Sequence, residues 1–94
     1  MKSLVTVTAR AEKSLRTIPV HILDLFDAWG KLIEDSGYLE MKKVPGYRDH
    51  ALSGKLAGLR SVSLNRSYRV IYKLIESEIW IVEIIEVNKH DYKI

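Results

Sequence analysis

Four side chains of this 94-residue chain suit proton transfer and charge stabilisation on a phosphodiester: His50, Arg69, His90 and Tyr92. RNA brings its own nucleophile, the 2′-hydroxyl. A protein that cleaves it needs a base for that proton, positive charge for the pentavalent phosphorane, and an acid for the leaving oxygen. Histidine, with an ordinary pKa of about 6.5, serves in either proton-transfer role. Arginine grips a phosphate with two parallel hydrogen bonds as charge develops. An aromatic ring such as Tyr92 stacks on an unpaired base. Each residue also has a plainer reading. His50 is equally a surface histidine on a loop, Arg69 a sheet-face partner for Glu83 or Glu86, and His90 and Tyr92 packing residues of the C-terminal tail.

Other chemistries find less support. No cysteine is present, which removes disulfides, thiolate metal sites and a cysteine nucleophile. The three histidines, His21, His50 and His90, fall at no ligand spacing on one element, so no metal site is expected. Gly54-Lys55-Leu56-Ala57-Gly58 lacks P-loop spacing, and no serine sits in a Gly-x-Ser-x-Gly elbow. A site without cofactor or metal is the expectation.

The charge distribution points the same way. Residues 42–73 hold eight basic side chains (Lys42, Lys43, Arg48, Lys55, Arg60, Arg66, Arg69 and Lys73) against the single acid Asp49. That stretch carries +7 and the remainder −4, so the modest total of +3 hides a polarised molecule. A local excess of this size concentrates polyphosphate at one face. The alternative is a solvated basic face with no partner.

These residues need elements to position them. Leu4–Val7 is short and β-branched and reads as a strand; Thr8 is placed to cap a helix over residues 9–17. After Pro19, the apolar residues Ile22, Leu25, Phe26, Trp29, Leu32 and Ile33 recur at helical spacing, and Gly37 suits a left-handed cap. Tyr38–Gly58 shows no clear period and reads mostly as loop. From Leu59 the period becomes two. Strands are expected at Leu59–Leu64, Tyr68–Ile75 and Ile79–Val87, joined by turns at 65–67 and 76–78. The last strand is apolar enough to be central and covered on both faces. The expected architecture is α+β, β-α-α-β-β-β: two N-terminal helices on one face of a small, mainly antiparallel sheet, in a single domain over residues 1–94. No apolar run reaches the roughly 18 residues of a membrane span. Residues 1–8 lack a signal-peptide pattern. A soluble, cytoplasmic protein with no membrane partner is the default expectation.

The run His50-Ala51-Leu52-Ser53-Gly54-Lys55-Leu56-Ala57-Gly58-Leu59-Arg60-Ser61, followed by Asn65 and Tyr68-Arg69-Val70-Ile71-Tyr72, resembles the RelE/ParE toxin superfamily. Val87-Asn88-Lys89-His90-Asp91-Tyr92 is similar to the tails of its HigB- and YoeB-like branches. The resemblance covers nearly the whole chain. It implies a RelE-like fold and the toxin of a type II toxin–antitoxin system, an mRNA interferase that cleaves messages in the 70S ribosome and is held inactive by a cognate antitoxin. It also implies a catalytic set of His50, Arg69, His90, Asp91 and Tyr92, with Lys42, Lys43, Arg48, Lys55, Arg60, Arg66, Lys73 and Lys89 against RNA backbone. One departure stands out. RelE carries lysines on the strand before the arginine, where this chain has Ser61 and Ser63, so positive charge falls to Arg60, Arg69 or Lys89. The superfamily also holds ParE-like gyrase poisons that lack the catalytic set.

Overall fold

The computed structural model describes residues 2–89. The elements, in order, are β1 (Ser3–Val7), α1 (Ala9–Leu15), α2 (Val20–Ser36), α3 (Tyr38–Lys42), β2 (His50–Ala51), β3 (Arg60–Ser63), β4 (Tyr68–Ile75) and β5 (Trp80–Lys89), with 3-10 turns at Pro45–Tyr47 and Gly54–Leu56. The five strands form one sheet in the order β1-β5-β4-β3-β2. β1 runs parallel to β5, and the other pairs are antiparallel. The α+β architecture expected from the sequence is therefore present.

Local chemistry explains the boundaries. The Thr8 hydroxyl accepts from the Ala11 N–H at 3.1 Å, capping α1, and donates to the Ile84 carbonyl at 2.7 Å. One side chain thus starts a helix and ties it to β5. Pro19 sits at the N-cap of α2 in extended conformation, one position earlier than the first helical turn. Gly37 has φ 94 and ψ 156, so it is extended with positive φ and not left-handed helical; its N–H closes α2 on the Ile33 carbonyl at 2.8 Å. α3 starts directly from it. Expected as loop, α3 forms because Tyr38 and Met41 bury the same side of one short turn.

The helices lie on one face of the sheet, α1 over β5 and α2 beside β1. Ile22, Phe26, Trp29 and Ile33 of α2 meet Val62, Val70, Tyr72, Val82, Ile84 and Val87 in one core. Complete burial of such side chains contributes roughly 1.5–3 kcal/mol each. Leu25, expected in the stripe, is 38% exposed. β5 lies inside the sheet between β1 and β4, while β4 is the middle strand. Burial along β5 singles out Val82, Ile84 and Val87, so its helix-side face is covered and its other face only partly. The pairing of β4 with β5 slips by one residue between Ile71 and Tyr72, leaving Ile85 as the extra residue of a bulge.

Among the described residues, no helix is long and apolar enough to cross a membrane.

Candidate functional site

Register decides which side chains share the sheet face away from the helices. His50 is opposite Ser61, Ser61 opposite Ile71, and Ser63 opposite Arg69. Arg69 is opposite Asn88 and Ile71 opposite Glu86. Alternation puts His50, Ser61, Ser63, Arg69, Glu86 and Asn88 on that face. From strand spacing and rise, the Cα atoms of His50 and Arg69 are about 12 Å apart. Two long side chains reaching inward from that separation can hold one phosphate between them. They line a common cavity of about 280 Å³ with Arg48, Ser61, Ser63, Asn65, Arg66 and Tyr68. A neighbouring cavity of about 560 Å³ shares Arg48, Ser63, Asn65 and Arg66, so the two form one groove.

His50 has a defined tautomer. Its Nδ1 lies 2.7 Å from the Arg48 carbonyl oxygen. A carbonyl only accepts, so Nδ1 carries the hydrogen and Nε2 keeps its lone pair. Nε2 is the basic atom. Arg48 has φ 49 and ψ 45, the single positive φ at a non-glycine among the described residues. Left-handed backbone at such a residue costs on the order of 1 kcal/mol and persists only where its surroundings enforce it.

Arg69 is held from one side. Its Nε donates to Asn88 Oδ1 at 3.2 Å. Asn88 Nδ2 in turn donates to Glu86 Oε2, and Glu86 Oε1 takes Arg10 Nη2 at 2.8 Å. The chain Arg69–Asn88–Glu86–Arg10 thus runs from the groove to α1. Among the described residues Arg69 makes no other side-chain hydrogen bond, so its Nη groups have no partner there. Burial pushes the Glu86 carboxyl up. Hydrogen bonds from Asn88 and Arg10, with the charges of Arg10 and Arg69, outweigh that and hold it below the ordinary value.

The turn after β3 is built by Asn65, whose Oδ1 accepts from the N–H groups of Ser67 and Tyr68, both at 2.8 Å. This Asx turn carries Arg66 at its tip and starts β4, where Arg69 faces the groove and Tyr68, on the opposite face, packs against the helix-side core.

Arg60 is elsewhere. It pairs with Tyr72 in register and points to the helix side. Its Nε donates to Asp49 Oδ1 at 2.9 Å, and Nη2 reaches the same oxygen. The side chains are 22% and 1% exposed respectively. Burial alone lowers the Arg60 pKa, but hydrogen bonds to Asp49 and Tyr72 raise it well above the ordinary value. The expectation that Arg60 faces RNA is corrected here: its guanidinium is committed to a buried carboxylate. Tyr72 donates to Asp49 Oδ2. Tyr72 has one hydrogen, so the 2.7 Å contact between hydroxyls runs from Tyr38 to Tyr72. Burial pushes both phenols above their ordinary pKa, and the hydrogen bond that Tyr72 donates to Asp49 adds to the rise at Tyr72.

The other expected cations scatter. Lys73 stands on the groove-side face opposite Glu83, Lys55 is on the Gly54–Leu56 turn, and Lys89 ends β5; all are exposed. Lys42 and Lys43 are on or just after α3, with Lys43 Nζ 3.2 Å from Glu40. The expected site residues His90, Asp91 and Tyr92 lie outside the described residues.

No family model matches the sequence, and no curated protein does. Solved structures do. In the RelBE2 toxin–antitoxin complex from Mycobacterium tuberculosis, a chain 24% identical superposes with a TM-score of 0.70, over 96% of this chain and 100% of that one. A YoeB/ParE toxin from Agrobacterium tumefaciens is 18% identical with a TM-score of 0.65, over 97% and 100%. In the Escherichia coli DinJ–YafQ toxin–antitoxin complex the values are 17% and 0.63, over 96% and 94%. At these identities the shared property is backbone architecture, over nearly the full length of both partners: the chain has the RelE/ParE toxin fold.

Proposed function

We propose that the protein is the toxin of a type II toxin–antitoxin system and acts as a ribosome-dependent mRNA endonuclease. The observation that carries this reading is the pairing, in one groove, of a histidine whose Nε2 is left basic with an arginine whose Nη groups have no partner among the described residues. The fold shared with RelE, YoeB and YafQ toxins supports it.

His50 Nε2 takes the proton of a ribose 2′-hydroxyl, and the 2′-oxygen attacks the adjacent phosphorus. Arg69 holds the phosphate through its Nη groups and stabilises the charge that gathers on its oxygens. The P–O5′ bond breaks, leaving a 2′,3′-cyclic phosphate on one fragment and a 5′-hydroxyl on the other. His90, with Asp91 and Tyr92, supplies the proton to the departing 5′-oxygen. Arg48 and Arg66, at the groove, carry RNA backbone contacts, joined by Lys55, Lys73 and Lys89; Lys42 and Lys43 contact ribosomal RNA from the far side of α3. An antitoxin segment silences the protein by covering this basic face.

Translation of a defined message with and without the protein, followed by primer extension, tests the proposal. New 5′ ends that require ribosomes and vanish with His50→Ala are expected. No new ends, with gyrase-linked DNA breaks instead, would overturn it in favour of a ParE-like poison.

A further inference from the structure

We propose that Asp49 is a positioning residue, a buried carboxylate that pins Arg48-Asp49-His50 so that His50 presents Nε2 to the groove. The inference rests on the reading of His50 as the base and extends it to a network on the opposite side of the sheet.

Arg48 and His50 line the groove, while Asp49 between them turns to the helix side and is almost wholly covered. The tautomer of His50 depends on where the Arg48 carbonyl points, and that depends on a left-handed backbone at Arg48. Such a conformation relaxes unless something holds it. The local strand offers little. β2 is two residues long, and its last tie is the Leu52 N–H on the Leu59 carbonyl at 2.9 Å. The hold comes from the next side chain. One Asp49 oxygen receives both donors of Arg60 from β3, and the other receives the hydroxyl of Tyr72 from β4. Tyr38 of α3 donates to Tyr72 in turn. Two elements thus converge on a single carboxylate beside the strained residue, and a third reaches it through Tyr72. With Asp49 fixed, the peptide units on both sides of it are fixed, and with them the carbonyl that selects the imidazole tautomer.

A purely structural network would change stability and nothing else. The test therefore reads the imidazole. Tyr72→Phe keeps the ring packed on Trp29 and Tyr38, 5.8 and 6.0 Å between centroids, and removes only the hydroxyl. Asp49→Asn keeps the volume and removes the charge. Long-range ¹H–¹⁵N correlation spectra of the intact labelled chain, recorded where His50 is neutral, show which ring nitrogen carries hydrogen. The wild type is expected to hold the Nδ1–H form and the folded variants to show a mixture. In ribosome-dependent cleavage, kcat should fall at least about tenfold with KM within about twofold, since misplacing a reacting group by about 1 Å is enough for 10²-fold. A wild-type imidazole spectrum in folded Tyr72→Phe overturns the proposal, as does a change confined to KM. If the wild type cleaves no message at all, the nuclease reading falls while the spectra still decide whether Asp49 sets the tautomer.

Discussion

Asp49→Ala is the perturbation with the largest consequence for stability that the structure supports. The substitution strips a carboxylate whose side chain is 1% exposed and leaves two groups without their partner, the Arg60 guanidinium and the Tyr72 hydroxyl. Removing one member of a buried ion pair costs about 3–5 kcal/mol, because the other charge stays desolvated. Arg60 is 22% exposed, so water recovers part of that and the lower end, about 3 kcal/mol, applies. A chain of 94 residues has a total stability of about 5–14 kcal/mol. The loss is therefore a large share. It shifts the thermal midpoint down by about 12–24 °C, and the urea midpoint by about 1–3 M. Urea titration followed by tryptophan fluorescence suits the case, because Trp29 packs against Tyr72, 5.8 Å between ring centroids. Replacing the ion pair, with Asp49→Leu and Arg60→Met together, should recover part of the loss, because only the Tyr72 hydroxyl then lacks its acceptor. A loss under about 1 kcal/mol in Asp49→Ala, or additive losses in the double variant, would refute the buried network as a determinant of the fold.

Arg69→Lys should lower cleavage by about 10²-fold with an unchanged melt, since an ammonium cannot reproduce the two-pronged grip on phosphate; primer-extension yield per ribosome measures it. Of the five tyrosines, Tyr38 and Tyr72 should ionise last in an alkaline absorbance titration. Their folded pKa is raised, so their stabilisation is complete below about pH 10 and declines as pH rises toward the folded value, and their ionisation should coincide with unfolding. Glu86→Gln should cost about 0.5 kcal/mol at pH 7, small because its partner Arg10 is 72% exposed. The Glu86 pKa is lowered on folding, so its contribution is present above about pH 4.3 and fades as pH falls through the folded value; melts of variant and wild type should converge there.

Regular elements were legible because their apolar periods are long enough to declare themselves. The eight residues of β4 lie at the expected bounds, and Thr8 caps α1 as its position suggested. The two-residue β2 carries no alternation of its own; it becomes a strand through Ser61 and Arg60 of β3. α3 spans five residues, too few for a period. His50 and Arg69 were found as chemistry-bearing types and do share the groove. Arg60 was misjudged because charge counting treats every cation in the basic run alike. The lone acid in that run held the correction: Asp49 is the one group there able to neutralise a buried arginine, and it does.

A single extra residue in β5 governs which side chains reach the groove. Without the bulge at Ile85, strict alternation from Val82 and Ile84 would carry Glu86 and Asn88 to the helix side and turn Val87 outward. Two polar groups would enter the core, and Arg69 would face an aliphatic residue in place of Asn88. With the bulge, Val82, Ile84 and Val87 all stay buried, while Glu86 and Asn88 move to the open face in register with Ile71 and Arg69. The apolar composition of Ile79–Val87 conceals this, because Ile84 and Ile85 are chemically alike and the slip lies between them. The same step that completes the core therefore gives Arg69 its neighbour: Asn88 takes the Nε hydrogen of the arginine that lines the cavity shared with His50.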